Sequence, residues 1–214
     1  MTHPIDMETW PRREIFDFYN SPDPFYSVSF PMDVTGVYRY ARSRGLSFYL
    51  CMCWAVSEAV NRVENFRYVI RGEQVFLLDR RNPSFTEIHR DTHLFYLVTV
   101  PFDADVDAFC RAADEKRRSQ TCFVEMGEEG DDLIFITCLP EIDLTSMDTG
   151  HPDSSRDSVP RINWGRYHTD AQGRKVLGMA LELNHRLIDG YHVGCFAREL
   201  EAVIAGLDSA AGDA

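Results

Sequence analysis

The stretch Lys175-Val176-Leu177-Gly178-Met179-Ala180-Leu181-Glu182-Leu183-Asn184-His185-Arg186-Leu187-Ile188-Asp189-Gly190-Tyr191-His192 decides how this chain is read. A strand turns successive side chains to opposite faces, so Leu177, Met179, Leu181, Leu183 and His185 share one face. That face is apolar, and His185 emerges beside buried surface at its end. Gly190 allows a tight bend. Val193, Phe196, Leu200, Val203 and Leu207 then recur at helical spacing, predicting a helix from Gly190 to about Gly206. The stretch is a buried strand, a sharp turn and a helix, with a histidine at the corner.

Outward from it, Asp170-Ala171-Gln172-Gly173 is a hairpin turn joining this strand to another at Arg161 to Tyr167. Leu133 to Leu139 reads as a further buried strand. Between these two lies a long polar loop centred on Asp148 to Ser155, and loops this long are usually functional or mobile. A helix is predicted near Thr9, with Thr9 as its cap and Pro11 in its first turn. Tyr26 to Met32 alternates as a strand. Thr35 to Arg44 reads as a helix closed by Gly45, and Phe48 to Glu64 as a longer one with an apolar stripe at 49, 53, 56, 60 and 63. Arg67 to Ile70 and Gln74 to Leu78 flank Arg71-Gly72-Glu73 as a hairpin. Strands follow at Phe85 to His89 and His93 to Val100, then a helix from about Asp103 to Arg118. Glu125 to Asp132 reads as a solvated acidic loop.

Strands and helices mix without strict alternation. The expected fold is therefore α+β: a two-layer sandwich with a mixed β-sheet and helices packed on one face. No linker divides the chain, so residues 1–207 form one expected domain, with 208–214 a disordered tail.

The net charge of -12 repels phosphates and argues against a nucleic-acid partner. A single anionic co-substrate needs only a local basic patch. No apolar run is long enough to span a membrane, and the first residues lack the basic start and apolar core of a signal peptide. Cysteines at 51, 53, 110, 122, 138 and 195 are scattered without a C-x-x-C pair. They read as reduced thiols in a cytoplasmic protein rather than disulfides or a metal site.

A lone histidine at a strand end is ordinarily core packing. Here it is followed at a fixed offset by Asp189-Gly190, at a strand-to-helix turn, which is more specific than any of these residues alone. Desolvation disfavours a charged imidazole, and a neutral imidazole can take a proton from a hydroxyl. Asp189 has two open roles. It can orient the histidine, or it can hold the turn by an ion pair with an arginine elsewhere. Its position beyond the bend favours the second.

His-x-x-x-Asp-Gly in this setting resembles a motif shared by several CoA-dependent acyltransferases. Among them are chloramphenicol acetyltransferases, the acyltransferase cores of 2-oxo-acid dehydrogenase complexes and peptide-synthetase condensation domains. The rest of the chain is similar to the first group, type A. Trp10 to Tyr19 resembles that family's first helix. Ser47-Phe48-Tyr49, Phe66-Arg67, His89-Arg90-Asp91-Thr92, Gly165-Arg166-Tyr167 and Asp189-Gly190-Tyr191-His192-Val193 also fit.

The resemblance implies an O-acetyltransferase that uses acetyl-CoA as co-substrate, with no permanently bound cofactor and no metal. His185 would be the general base, and no acyl-enzyme would form, in keeping with the lack of a Gly-x-Ser-x-Gly elbow. Thr137, in Thr137-Cys138-Leu139-Pro140-Glu141, would replace a serine hydroxyl that stabilises the oxyanion. Asp189 would pair with Arg12 and brace the turn. Phe18, Tyr19 and Asn163 would line the acceptor pocket, and Tyr49, Arg166 and Tyr167 would approach CoA. The assembly would be a homotrimer with active sites between subunits.

The chain departs from the pattern at Ser47 (lysine in the family), Glu141 (tryptophan), Asn163 (threonine) and Asn184 (histidine). Alternatives are a related acyltransferase with another acceptor or acyl donor, and a non-catalytic binding protein on the same scaffold.

Overall fold

The computed structural model describes residues 1–89, 91–128, 130–150 and 157–212. Arg90, most of the centre of the polar loop and the last residues of the chain lie outside them. The strands are β1 (Thr2–Pro4), β2 (Phe25–Asp33), β3 (Tyr68–Arg71), β4 (Gln74–Leu78), β5 (Asn82–Ile88), β6 (Phe95–Thr99), β7 (Leu133–Leu139), β8 (Arg161–Gly165), β9 (His168–Thr169) and β10 (Lys175–Asn184). The helices are α1 (Arg13–Phe18), α2 (Thr35–Arg44), α3 (Phe48–Arg62), α4 (Val106–Ser119) and α5 (Gly190–Gly212), with a 3-10 turn at Glu64–Arg67.

The main sheet runs β2-β10-β8-β7-β5-β6, with β9 paired to the start of β10. It is mixed: β7 lies parallel to both β5 and β8, and the other pairings are antiparallel. A second small sheet, β1-β4-β3, flanks it. The odd-numbered face of β10 carries Leu177, Met179, Leu181 and Leu183, all buried. These join Val56, Val60, Phe66, Phe196 and Leu200 from the helical layer in one core. The expected two-layer α+β sandwich with helices on one face is the fold found.

The even-numbered face of β10 is built differently. Gly178 and, on β8, Gly165 leave room for the backbone of the segment after β7. A Cβ on Gly178 would collide with the Leu144 carbonyl, and one on Gly165 with the Ile142 carbonyl and Leu144. Arg166 N–H donates to Ile142 O at 2.7 Å. The segment from residue 141 to 150 thus straps part of the open face, in direct backbone contact with two strands.

Several boundaries differ from the sequence reading for identifiable reasons. The Thr9 hydroxyl donates to Asp6 Oδ2 and Trp10 N–H to Asp6 O, so Thr9 lies in a turn and the first helix begins only at Arg13. Beyond Arg62 the chain tightens into a 3-10 turn, so the strand after it starts at Tyr68. The last helix continues to Gly212, which corrects the disordered tail expected from Asp208: Leu207 is buried, and Asp208 pairs with Arg39 of α2. β1 has no alternation in its sequence and was not expected. Of the cysteines, Cys51, Cys53 and Cys110 are buried, whereas Cys122 is exposed.

Candidate active site

At the end of β10 the backbone turns through Asn184 to Asp189. Asn184 is buried and holds this turn on both sides. Its Oδ1 accepts from Arg186 N–H at 2.9 Å, and its Nδ2 donates to Asp157 O at 2.8 Å. Arg12, which is 8% exposed and immediately precedes α1, braces the turn. Its Nη1 donates to Asp189 Oδ2 at 2.7 Å, its Nε to Arg186 O at 2.9 Å and its Nη2 to His185 O at 3.0 Å. Asp189 Oδ1 also accepts Tyr191 N–H at 3.0 Å, the bond of a helix N-cap, so one carboxylate joins the arginine to the start of α5.

Burial works to raise the Asp189 carboxyl. The Arg12 hydrogen bond, the neighbouring His192 and Arg12 charges and the Tyr191 N–H outweigh it and hold the group below the ordinary carboxylate range. His192 Nδ1 lies 3.0 Å from Asp189 Oδ1 and 3.2 Å from Asp189 N. One ring nitrogen cannot donate to the first and accept from the second. The shorter, charge-assisted contact to the carboxylate is the operative one.

His185 is half-buried and packs against two aromatic rings. Tyr19 stacks on it with centroids 4.0 Å apart and planes 8° from parallel, and Tyr26 lies 4.6 Å away on a tilted plane. The backbone N–H of His185 donates to Pro24 O at 2.8 Å. Nδ1 is buried without a hydrogen-bond partner among the described residues. Phe18 is 81% exposed at the end of α1, edge-on to Tyr19.

The remaining predicted residues are elsewhere. Thr137, Asn163, Tyr49, Arg166 and Tyr167 all line one cavity of about 1050 Å³ on the sheet. The Thr137 hydroxyl has no partner among the described residues. Asn163 is buried and donates to Glu182 at 2.7 Å. Tyr49 O–H donates to Thr86 O at 2.7 Å, and burial pushes its phenol well above the ordinary value. Arg166 is exposed and pairs with Asp143 at 3.1 Å, and Tyr167 packs edge-on to Phe48.

Neither His185 nor Arg12, Phe18 or Tyr19 lines this cavity. The register shows why. Thr137 is opposite Asn163, Asn163 is opposite Ala180, and His185 lies further along the same strand as Ala180. With about 3.3 Å per residue along a strand and about 4.8 Å between strands, the Cα atoms of Thr137 and His185 are roughly 19 Å apart. Within one chain the two cannot touch the same reacting atom.

The departures from the family pattern are also placed. Ser47 caps α3, its Oγ accepting from Leu50 N–H. Glu141 is exposed and does not line the cavity. Tyr26, Glu182 and Thr149 were not singled out in the sequence. Strand pairing brings Tyr26 opposite Leu183, near His185, a placement that no spacing motif reveals.

Comparison with known proteins identifies the family to which this fold belongs. The family model for chloramphenicol acetyltransferase matches residues 2–201, and the chain belongs to that family. It is 26% identical over 201 residues to chloramphenicol acetyltransferase 3 of Escherichia coli, covering 92% of this chain and 94% of the relative. It is 28% identical over 207 residues to the chloramphenicol acetyltransferase of Streptomyces acrimycini, covering 94% of each. A solved chloramphenicol acetyltransferase superposes with a TM-score of 0.86 at 25% identity, over 95% of this chain and 100% of the other. Among the described residues no helix is long and apolar enough to cross a membrane, and no group of His, Cys, Asp or Glu is arranged to hold a metal ion.

Proposed function

We propose that this chain transfers an acetyl group from acetyl-CoA to the hydroxyl of a small acceptor, at sites each completed by a second copy of the chain. The observation that carries this is the half-buried His185 imidazole at the end of β10, with its Nδ1 buried and its backbone held by Arg12, which also pairs with Asp189. In this reading Nε2 takes the proton from the acceptor hydroxyl as its oxygen attacks the thioester carbonyl carbon. The Thr137 hydroxyl donates to the oxyanion that forms. The C–S bond then breaks, and the thiolate leaves as CoA thiol with the proton from the imidazolium. Tyr19 and Phe18 flank the acceptor on the side of His185, and Asn163 meets it in the cavity.

The CoA end belongs at the mouth formed by Tyr49, Arg166 and Tyr167. A phosphate there competes with Asp143 for Arg166. Ser47, committed to capping α3, offers no cation. Chloramphenicol, named for the relatives, is the first acceptor to test.

The separation of His185 from Thr137 supports a shared site, and a closed three-fold ring would supply each histidine with a neighbour's threonine. Purified protein is mixed with acetyl-CoA and a panel of hydroxyl acceptors, and free thiol is followed beside His185→Ala. Thiol release by the wild type that the mutant lacks is the expected result. No release above the mutant with any acceptor would overturn the enzymatic reading, whereas failure with chloramphenicol alone changes only the acceptor. Co-expressing His185→Ala with Thr137→Ala tests the shared site. With the two chains in equal amounts, about a quarter of all sites, one in each mixed trimer, should regain activity, because each of those sites pairs the two intact residues. A site contained in one chain would regain none.

A further inference from the structure

Glu182 stands on the open face of β10 and is fully buried. Its two carboxylate oxygens serve different parts of the cavity wall. Oε1 accepts from Asn163 Nδ2 at 2.7 Å. Oε2 accepts from Thr149 N–H at 2.8 Å and from the Thr149 hydroxyl at 2.9 Å. Asn163 and Thr149 both line the cavity, one from the strand floor and the other from the strap.

Both Glu182 oxygens accept in these bonds, so Glu182 dictates which end of the neighbouring amide faces it. Asn163 must present its nitrogen to Glu182. Its Oδ1 has no hydrogen bond among the described residues and is not a buried orphan, which leaves it facing the cavity.

We propose that Glu182 is a positioning residue for acceptor selection. It fixes Asn163 as a hydrogen-bond acceptor in the cavity floor, and it latches the strap through Thr149. The chain therefore selects an acceptor that carries a second hydrogen-bond donor, a hydroxyl or N–H, beside the hydroxyl that is acetylated. This rests on the function proposed above, but the latch can be measured without it.

The discriminating variant is Glu182→Gln. It keeps the shape but has one oxygen for two sets of donors. Either Asn163 turns its nitrogen to the cavity, or Thr149 N–H loses its acceptor. Steady-state thiol release is measured for wild type, Glu182→Gln, Asn163→Ala and the double variant. The acceptors are a matched pair with and without the second donor. One lost hydrogen bond should raise the KM of the donor-bearing acceptor roughly two- to tenfold. The KM for acetyl-CoA should stay unchanged, and so should the preference between the two acceptors when Glu182→Gln is added to Asn163→Ala. Hydrogen–deuterium exchange of a peptide covering 142–150 should speed up in Glu182→Gln while exchange in β7 stays the same.

Thr149→Val separates the two roles and serves if Glu182→Gln does not fold. It should loosen the strap without altering the preference between acceptors. The selection role is overturned if Glu182→Gln, or Asn163→Ala where that variant does not fold, loses rate equally with both acceptors. The latch is overturned if exchange over 142–150 is unchanged in Glu182→Gln and Thr149→Val. If wild type releases no thiol with any acceptor, the proposed function fails and acceptor selection fails with it, while the exchange result still decides the latch.

Discussion

Replacing Arg12 by alanine removes three donors at once: those to Asp189 Oδ2, Arg186 O and His185 O. Breaking a fully buried ion pair from one side costs about 3–5 kcal/mol. Asp189 keeps Tyr191 N–H and has a side chain 28% exposed, so water recovers part of that loss. The two freed carbonyls add a further desolvation cost, and roughly 2–4 kcal/mol remains. For a chain of this length that lowers Tm by roughly 5–15 °C. The end of β10 also loses its brace, and a displacement of about 1 Å at a reacting group costs about a hundredfold in rate. Thermal melts followed by circular dichroism, together with thiol-release kinetics, read both effects. Arg12→Lys should recover the charge but not the forked geometry, and fall between the two.

Acid adds a signature. The Asp189 carboxyl is held low in the folded chain, so its contribution is present above about pH 4 and fades as pH falls through the folded value. The gap between wild type and Arg12→Ala should therefore narrow in that range. A variant that loses rate but melts with the wild type would refute the brace and move Arg12 to the reacting atoms.

Thr137→Ala should lower kcat about 10²–10³-fold with little change in melting, whereas Thr137→Ser should keep most of the rate; equal losses in both would remove the hydroxyl from the mechanism. Arg81 is fully buried and donates to the carbonyls of Phe66, Tyr68, Asp131, Leu133 and Ser158, with burial pushing its guanidinium down to about 10. Arg81→Met should cost about 4 kcal/mol or more in urea unfolding, and a loss under about 1 kcal/mol would show that water replaces it. Burial pushes the His192 imidazole below its ordinary value, against the pull of Asp189 and with the help of Arg12. The unfolded chain then takes up the proton first, so stability falls as pH drops below about 6.5. His192→Gln should flatten that slope, and an unchanged slope would assign it to other groups.

Much of this was legible in the sequence because the decisive signals are local. Alternation through Leu177 to Leu183 and the bend at Gly190 gave the strand, its buried face and the helix after it. Asp189 and Arg12 are far apart in the chain, and only the family likeness joined them before the structure did. What escaped is what strand pairing decides. Glu182 reads as a charge interrupting an apolar run, and its partners Asn163 and Thr149 come from other strands and loops. Asn184 reads as the loss of a histidine, yet it holds the turn through Asp157 and Arg186. Thr9 had every local mark of a cap, but its hydroxyl bonds Asp6 and the helix starts at Arg13, with no side-chain cap. The likeness alone had put active sites between subunits, and the distance from His185 to Thr137 needed the register of β7, β8 and β10.

Gly165 and Gly178 bring the strap against the sheet with no side chain between them, so strand geometry sets its track there and strap packing does not. This splits the tolerance of the region to mutation. Side chains on the strap, such as Met147, can be exchanged one at a time to reshape the cavity lining while the backbone path stays put. A single added methyl at either glycine shifts the whole segment. Variants selected for new acceptors should accumulate along 141–150, with both glycines left as they are.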